Sequence, residues 1–450
     1  MFGEINDAEV RARAEEAGIR WVRLVASWAS GNLDGMVENA INAGLEPIIV
    51  LGSSPHWATE DVAVANGGTH YGCGPIDDED LPAFADHIRR LAERYDGDGD
   101  YDGDGVVDGP AMPEVTRWEF WNEPDNQSTS EACIYVGGCW GGDLDGDGIP
   151  DPREYVTMLS YAYPAVKEGN PNAKVLLGAV AHEVIDADCF NMSFLDDVLN
   201  YGGGQYFDLM NFHQYDFKRG EWNGPLPYDQ GILGKSRAMK DKLAEYGLDK
   251  PLVISEIGFA VRERTPEEKQ EWEEYQARVL VQEFVRGMSW WPDKIKAIIW
   301  FLMVDEVPPN PSGEFGLLQE ETLEPRPSYY AYQQLTRELE GARFERQLGP
   351  EETGSVNIQA YRFVMEDGMK KLVLFRDDGR RLRWQGLTAE ENMDVGGEEL
   401  GEWTGRVEVR DKFGNEMVIQ DGGENDEDGV INGTVRLSFT SSPIYVMAVP

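Results

Sequence analysis

Short apolar runs alternate with amphipathic helical stretches through residues 1–344 of this 450-residue chain. The candidate strands are Ile19–Val25, Pro47–Leu51, Arg117–Trp121, Lys174–Val180, Phe207–Phe212, Pro251–Ile254 and Lys296–Phe301. The candidate helices between them include Asp34–Ala43, Leu81–Tyr95, Glu154–Glu168, Gly234–Tyr246 and Glu267–Met288. Strands that alternate with helices predict a parallel sheet, and strands that are apolar on both faces predict one covered on both sides. Because no glycine-rich phosphate loop follows the first strand, a (β/α)8 (TIM) barrel is favoured over an open doubly wound sheet.

The candidate strands number seven, whereas a (β/α)8 barrel has eight. The first recognisable element is a helix at Asp7–Ala17, which precedes every candidate strand. We therefore expect the first barrel strand to lie upstream of Met1, together with a signal peptide. A strand within residues 1–6 that pairs on both sides would contradict this expectation.

The pattern changes from helical periodicity to alternating strands in residues 345–450. The candidate strands here are Val356–Met365, Lys371–Phe375, Arg381–Trp384, Gly405–Val409, Glu416–Gln420, Thr434–Phe439 and Ile444–Val449. Several short strands at this spacing predict an antiparallel β-sandwich. The chain is thus divided into a barrel domain, residues 1–344, and a C-terminal sandwich domain, residues 345–450, with Glu345–Gly354 as the connector.

The chain is strongly acidic, with 83 acidic and 40 basic residues and a net charge of −43. Nucleic acids and anionic membranes are bound by basic surfaces, so neither is an expected partner. No apolar run is long enough for a transmembrane helix, so no membrane insertion is expected. The charge fits calcium binding or high solubility and does not indicate a reaction type.

Four cysteines lie in loop segments, namely Cys73, Cys133, Cys139 and Cys189. Three pairings are possible, and the spacing does not choose among them. The favoured arrangement is Cys133–Cys139, which bracket a short loop, with Cys73–Cys189; free thiols are the alternative. Disulfides would indicate an oxidising location outside the cytoplasm.

The acidic segment 143–154 matches the twelve-residue calcium-binding loop at every ligand position. Its candidate ligands are Asp143, Asp145, Asp147, the main-chain carbonyl of Ile149, Asp151 and Glu154. Gly148 occupies the position of the sharp turn. Oxygen ligands at this spacing favour Ca²⁺, and a flexible acidic loop without an ion is the alternative.

A second acidic segment matches the same calcium loop less completely. Its candidate ligands are Asp100, Asp102, Asp104, Val106 and Asp108, with Asp96 and Asp98 as supplements. Ala111 stands where the terminal glutamate of the loop is expected. A third segment, residues 424–432, matches poorly and is interpreted as a solvated turn. We expect the calcium ions to be structural, and no organic cofactor is expected.

Two glutamates lie at the ends of different candidate strands. Glu123 is in Trp-Asn-Glu-Pro at residues 121–124, and Glu256 is in Val-Ile-Ser-Glu-Ile-Gly at residues 253–258. A charged side chain is costly in a core, but it is well placed where the strand ends of a barrel form the active site. Two such carboxylates are what glycoside hydrolysis requires, and buried structural ion pairs are the alternative.

These motifs resemble those of clan A glycoside hydrolases, most closely family 39-like members that join a (β/α)8 barrel to a C-terminal β-sandwich. The resemblance covers most of residues 1–340 and includes the segments 22–24, 211–215 and 299–301. It implies that Glu123 and Glu256 follow the fourth and seventh barrel strands, in agreement with a missing first strand. It also implies that Glu123 is the general acid and base and that Glu256 is the nucleophile.

The resemblance implies roles for further residues around the two glutamates. Arg23 matches an arginine that keeps the nucleophile charged, and Tyr215 matches a tyrosine that orients it. Asn122 matches a residue that binds the sugar 2-hydroxyl, and Trp300 matches an aromatic floor under the sugar. Candidate polar and stacking groups of the site are His213, His56, Trp28 and Trp57. The alternative for each is a role in the core, such as a structural ion pair for Arg23.

The sequence therefore predicts a retaining glycoside hydrolase that cleaves β-glycosidic bonds in an oligo- or polysaccharide. An extracellular or cell-surface location is expected with the upstream signal peptide. One alternative is an inactive, calcium-braced carbohydrate-binding protein on a barrel scaffold. Another is a transglycosylase on the same barrel, which product analysis with an added sugar acceptor would distinguish.

Overall fold

The computed structural model describes residues 4–28, 33–68, 72–127, 138–181, 189–215, 231–262, 265–306, 313–377, 389–401 and 403–449. The helices are α1 (Ala8–Glu16), α2 (Asp34–Asn42), α3 (Glu60–Ala65), α4 (Leu81–Arg94), α5 (Asp151–Gly169), α6 (Phe194–Asn200), α7 (Gly231–Glu245), α8 (Pro266–Met288), α9 (Pro327–Leu339), α10 (Pro350–Thr353) and α11 (Gly397–Leu400). The first strands are β1 (Trp21–Ala26), β2 (Glu46–Leu51), β3 (Arg117–Asn122), β4 (Lys174–Ala179), β5 (Met210–Gln214), β6 (Leu252–Ile257) and β7 (Ile295–Trp300). The later strands are β8 (Arg343–Gln347), β9 (Ile358–Val364), β10 (Lys370–Arg376), β11 (Glu391–Gly396), β12 (Arg406–Asp411), β13 (Glu416–Gln420), β14 (Thr434–Phe439) and β15 (Ile444–Ala448).

The seven strands predicted in the N-terminal part all form, and they pair in parallel. Strands β1 to β4 make one sheet in sequence order, and β5 to β7 make another. Isolated parallel bridges, Leu176 with Leu209 and Val180 with Phe212, continue the order from β4 to β5. Among the described residues no ladder joins β7 to β1, so closure of the barrel stays a prediction. Before α1, Glu4–Asn6 form a 3-10 turn, and the ladder begins at Trp21.

The helices form where the sequence provides an apolar face and a start signal. In α4 the buried Phe84, Ile88 and Leu91 recur at the spacing of one helix face. In α8 the hydroxyl of Thr265 accepts a hydrogen bond from the main-chain N–H of Glu268 at 3.2 Å, which caps the first turn. None of the described helices is both long and apolar enough to cross a membrane.

The interior of the parallel sheets is filled by apolar side chains that form a cluster of their own. Its buried members are Ile48, Leu176, Leu209, Val253, Ala297 and Ile299. The strand register places Ile48 opposite Arg23 and Val50 opposite Glu119. Two charged side chains therefore lie beside this apolar cluster. The larger core lies outside the sheets, between strands and helices. Burial on both faces explains why these strands are apolar without alternation.

The C-terminal part contains a six-stranded antiparallel sheet with the order β13-β12-β15-β10-β9-β8. A separate antiparallel pair, β11 and β14, shares an apolar core with that sheet, including Val395, Leu437 and Leu372. The predicted strand Arg381–Trp384 lies outside the described residues, and a complete β-sandwich stays a prediction. The acidic segment 424–432 is a turn, as predicted, but it is not fully solvated, because Asp426 is buried and accepts the N–H groups of Gly422 and Arg436.

The connector predicted at Glu345–Gly354 is wrong in its first three residues, because Arg343–Gln347 form the edge strand β8. Phe344 supplies the reason, since its ring packs against Phe363 of β9 at 5.7 Å between centroids. The sheet also packs on the barrel helices. Gln282 of α8 donates to the carbonyl of Ser441 at 2.7 Å, and Phe284 shares the main core with Phe375. The C-terminal part therefore packs against α8.

The predicted disulfide arrangement is wrong. Cys73 is bonded to Cys139, with Cα atoms 5.4 Å apart, rather than to Cys189. Cys189 is also disulfide-bonded, and Cys133 lies outside the described residues. The physical reason is that the segment 138–142 folds back along the loop after β3, which brings Cys139 to the loop between α3 and α4 that contains Cys73. Spacing along the chain does not reveal this approach.

Candidate active site

Glu123 lies on the first turn of the loop after β3, with only 8% of its surface exposed. Its φ of 46° and the φ of 71° at Trp121 are left-handed values that strain side-chain-bearing residues. The surrounding backbone holds this conformation. The N–H of Glu123 donates to the carbonyl of Ala179 at 2.9 Å, and the N–H of Gly138 donates to the carbonyl of Asn122 at 2.7 Å. The Tyr155 hydroxyl completes the clamp by donating to Phe120 O of β3 at 2.8 Å.

The glycine-rich segment 138–142 is fitted closely to this loop. A Cβ atom at Gly138 would lie 2.8 Å from the carbonyl oxygen of Asn122, and one at Gly141 would lie 2.3 Å from that of Asp125. Gly141 N donates to Asn126 O at 2.8 Å. Because only glycine allows this approach, the segment fixes the loop that carries Glu123.

Glu256 lies near the end of β6, with 6% of its surface exposed. Arg23 donates from Nη1 to Oε1 of Glu256 at 2.5 Å, and the Tyr215 hydroxyl donates to Oε2 through a short hydrogen bond. Burial raises the pKa of Glu256 above its ordinary value, while Arg23 and Tyr215 act in the opposite direction. Burial and Glu256 also raise the pKa of Tyr215 well above its ordinary value, so this hydroxyl keeps its proton and remains a donor.

His213 of β5 stands between the two glutamates. Its Nδ1 is 2.8 Å from Oε1 of Glu123 and 3.5 Å from Oε2 of Glu256. The three groups offer one ligand atom each within 4.8 Å of one another. Burial lowers the pKa of His213 well below its ordinary value, and the charges of Arg23 and Lys235 lower it further. The imidazole is therefore neutral, and its Nδ1 shares a hydrogen bond with Glu123.

Arg23 is fully buried and links the two strands that carry the glutamates. Besides Glu256 it contacts Asn122, whose Oδ1 accepts from Nη2 at 3.0 Å. It also pairs with Glu119 through two hydrogen bonds, from Nη2 at 2.7 Å and from Nε at 3.1 Å. Sequence reasoning missed Glu119. The available signal was a single acidic residue in the middle of the apolar strand Arg117–Trp121.

The remaining predicted substrate residues lie on the same end of the sheets. Trp300 ends β7, is nearly buried, and donates from Nε1 to the carbonyl of Phe315 at 3.1 Å. Trp57 is 50% exposed on the turn after β2, which begins at His56. Its ring meets that of the buried Trp28 edge to face at 4.7 Å between centroids. Arg23, Asn122, His213 and Tyr215 thus gather around the glutamates, while Trp28 and Trp57 form a separate aromatic pair.

The segment 143–154 brings its five acidic side chains together. Asp143, Asp145 and Asp151 form one mutually close group, and Asp145, Asp147 and Glu154 form another. Burial, together with the neighbouring aspartates, raises the pKa of Glu154 to about 9 and that of Asp151 to about 7. The cluster is joined to the segment beside Glu123, because Asp151 N donates to Gly142 O at 2.9 Å. A hard cation with oxygen ligands would relieve the crowding of these carboxylates.

The second acidic segment converges less completely. Asp100, Asp102 and Asp108 are mutually close, whereas Asp104 lies outside that group and accepts the N–H of Val106 at 2.8 Å. The supplements Asp96 and Asp98 group with Glu93 instead. Asp100 accepts N–H groups from its own turn, including that of Gly105 at 2.6 Å. This loop therefore places three of its predicted acidic ligands together.

No protein-family model and no curated protein matches this sequence. Solved structures match its fold. A family 39 glycoside hydrolase from the gut symbiont Bacteroides cellulosilyticus WH2 aligns with a TM-score of 0.66 and 18% identity, over 98% of this chain and 78% of that chain. A glucosidase from Croceicoccus marinus aligns with a TM-score of 0.57 and 15% identity, over 98% of this chain and 92% of that chain. A family 86 β-porphyranase from Bacteroides plebeius aligns with a TM-score of 0.56 and 12% identity, over 99% of this chain and 72% of that chain.

The similarity to family 39-like clan A glycoside hydrolases that the motifs predicted is confirmed by these structures at the level of the fold. The alignments extend over nearly the whole chain, so they include both the parallel sheets and the C-terminal antiparallel sheet. At such identities a shared fold does not by itself define the reaction. The chemistry has to be argued from the site.

Proposed function

We propose that this protein is a retaining glycoside hydrolase that cleaves β-glycosidic bonds by double displacement. The observation that carries the proposal is the convergence of Glu123 and Glu256 on one site, where one oxygen of each carboxylate lies within 4.8 Å of one oxygen of the other. Retaining glycosidases hold their two carboxyl groups about 5–5.5 Å apart, and inverting ones hold them about 6.5–9.5 Å apart to admit a water molecule. The short separation supports retention.

In the first step Glu256 attacks the anomeric carbon while Glu123 gives its proton to the glycosidic oxygen. The bond between the anomeric carbon and that oxygen breaks, the aglycone leaves as an alcohol, and the sugar becomes esterified to Glu256. Arg23 supports this assignment, because its charge favours the ionised form of Glu256. The neutral His213 brings no positive charge to Glu123, so it favours the ionised form of this carboxyl group less than Arg23 favours that of Glu256.

In the second step Glu123, now ionised, takes a proton from a water molecule whose oxygen attacks the anomeric carbon. The ester bond to Glu256 breaks, and the sugar leaves with its original anomeric configuration. The neutral imidazole of His213 hydrogen-bonds to Glu123 at 2.8 Å and so orients this carboxyl group for both proton transfers.

The proposed substrate is an oligo- or polysaccharide. The solved structures that share the fold include a glucosidase and a β-porphyranase, which supports a carbohydrate ligand. The half-exposed Trp57, backed by Trp28, offers a flat apolar face of the kind that stacks on sugar rings. Hydrolysis of a panel of aryl glycosides and polysaccharides, followed by NMR of the anomer first released, tests both activity and stereochemistry. The absence of turnover combined with glycan binding would favour the carbohydrate-binding alternative.

We also propose that the segment 143–154 binds a structural Ca²⁺, and that residues 100–108 bind a second one more weakly. All five acidic residues of the first loop converge, whereas Asp104 of the second stands apart. The hard oxygen donors of Asp143, Asp145, Asp147, Asp151 and Glu154 suit this ion. Through the segment 138–142 the first ion would brace the loop that carries Glu123.

An extracellular or cell-surface location is proposed on the evidence of the disulfides. Cys73 is bonded to Cys139, and Cys189 is also disulfide-bonded. Such bonds persist in oxidising compartments and are rare in the reducing cytosol. Fractionation of the native host, with detection by antibody, tests this location.

A further inference from the structure

Glu119 is a fully buried carboxylate that neither step above uses. It lies on β3, the strand that leads to Glu123, and faces the interior of the sheet beside Arg23. Both of its oxygens accept from the guanidinium of Arg23, Oε1 at 2.7 Å and Oε2 at 3.1 Å. Oε1 also accepts the N–H of Ala179 at 3.3 Å. Burial raises the pKa of Glu119, and the charge and hydrogen bonds of Arg23 act in the opposite direction. Acceptance from the guanidinium at both oxygens is the arrangement of an ionised carboxylate.

The bidentate hydrogen bonding with Glu119 fixes the plane of the Arg23 guanidinium. Nε and Nη2 are held by Glu119, and Nη2 also donates to Asn122. The remaining nitrogen, Nη1, is thereby aimed at Oε1 of Glu256, 2.5 Å away. Since a guanidinium is planar and rigid, the orientation at one edge determines the direction of the other.

Glu119 also neutralises part of the positive charge of Arg23. One buried cation stands between two buried carboxylates, Glu119 and Glu256. Without Glu119, the full positive charge of Arg23, 2.5 Å from Oε1 of Glu256, would stabilise the ionised Glu256 more strongly and make it a weaker base. A nucleophile that is too well stabilised attacks slowly, so a second anion on the far side of Arg23 preserves its reactivity.

We propose that Glu119 is a positioning residue of the glycosidase site, which aims Arg23 at Glu256 and sets the basicity of that nucleophile by sharing the charge of Arg23. The inference rests on the proposed function, since it assigns to Glu119 a part in the reaction of Glu256. Glu119 does not touch the reacting atoms; it acts through Arg23.

The competing interpretation is a buried ion pair that only stabilises the fold. Removing one partner of such a pair is destabilising in any protein, so a loss of stability does not distinguish the two interpretations. The chain offers a matched control in Glu283 of α8, which is almost completely buried and accepts from Nη1 of Arg286 at 2.7 Å. Its main-chain partner is Ile232, at the start of α7, and its position is outside the catalytic cluster.

The test compares Glu119→Gln with Glu283→Gln in the full-length protein. Both variants are expected to lower the melting temperature. Only Glu119→Gln is expected to move the acidic limb of kcat/KM, by about one pH unit toward lower pH, because the undivided charge of Arg23 lowers the pKa of Glu256. Its kcat is expected to fall more than its KM changes. An unchanged pH profile in Glu119→Gln, with stability lost as in Glu283→Gln, would overturn the proposal.

A second variant and a second readout keep the test decisive. If Glu119→Gln does not fold, Glu119→Asp takes its place, since it retains the negative charge but moves it away from Arg23. A smaller shift of the acidic limb of kcat/KM toward lower pH is then expected. A pH profile like that of the wild type would overturn the proposal. A ¹³C NMR titration of Glu256 in each variant follows the same shift without turnover. Absence of activity in the wild-type protein would contradict the proposed function, and an unmoved ¹³C titration in a folded Glu119 variant would contradict the role of Glu119.

Discussion

The Nδ1 atom of His213 lies 2.8 Å from Oε1 of Glu123, while the guanidinium of Arg23 lies 2.5 Å from Oε1 of Glu256. The two carboxyl groups therefore have different neighbours: a neutral imidazole on one side and a permanent cation on the other. This asymmetry is the basis on which we propose Glu123 as the acid and Glu256 as the nucleophile, because a nearby cation favours the ionised carboxylate and a neutral imidazole does so less.

Glu256→Gln is expected to lower kcat on an activated aryl glycoside by about 10³-fold or more, because an amide cannot form the glycosyl ester. The measurement is steady-state kinetics, with circular dichroism to show that the variant is folded. Glu283→Gln, another buried glutamate paired with an arginine, is the control and is expected to remain active. Comparable kcat values for Glu256→Gln and the wild type would remove Glu256 from the mechanism.

Glu123→Gln is expected to have an effect that depends on the leaving group. An aglycone that leaves easily needs little protonation, so formation of the glycosyl ester should be largely retained with such a substrate and lost with a poor leaving group. Azide, which needs no general base, is expected to restore turnover of the ester and to yield a glycosyl azide. An equal loss with both kinds of aglycone, without rescue by azide, would argue against Glu123 as acid and base.

The pH profile should show its acidic limb above the ordinary pKa of a glutamate, 4.5. Burial raises the pKa of Glu256, and the reaction needs its ionised form, so activity is present above this raised pKa and is lost as the pH falls through it. His213 has a pKa well below its ordinary value of 6.5 and should add no step there. A plot of kcat/KM against pH whose acidic limb lies at or below 4.5 would contradict a raised pKa for Glu256 as the nucleophile.

Removal of calcium should lower the melting temperature of the wild-type protein, because repulsion among the carboxylates of residues 143–154 is then uncompensated. Asp145→Asn should show a smaller response to EGTA, since Asp145 belongs to both close groups of that loop. Asp367→Asn, a change in the turn between β9 and β10, is the matched control and should respond like the wild type. Identical melting with and without calcium would end the calcium proposal.

Much of this architecture could be predicted because its signals are local. The strands ending at Asn122 and Ile257 are mostly buried, and Glu123 directly follows the first while Glu256 lies near the end of the second. Parallel strands place such ends at one edge of a sheet, so Glu123 and Glu256 could be brought together without knowing any loop.

The features that the sequence did not reveal depend on contacts between distant segments. The Cys73–Cys139 bond joins residues 66 positions apart, through a fold-back that only the close packing of Gly138 and Gly141 explains. The strand at Arg343–Gln347 is stabilised by Phe344 against Phe363 of another strand. Glu119 was visible as a charge in an apolar strand, but its meaning depends on Arg23, 96 positions away.

The most direct test of the account is to trap the glycosyl-enzyme. The wild-type protein is incubated with a 2-deoxy-2-fluoro glycoside of the sugar that it hydrolyses and that carries an activated leaving group, then digested and analysed by mass spectrometry. Double displacement through Glu256 predicts one added sugar, on the peptide that contains Glu256, and no adduct in Glu256→Gln. A sugar attached to another residue, or hydrolysis with inversion and no adduct, would contradict the double displacement proposed for Glu123 and Glu256.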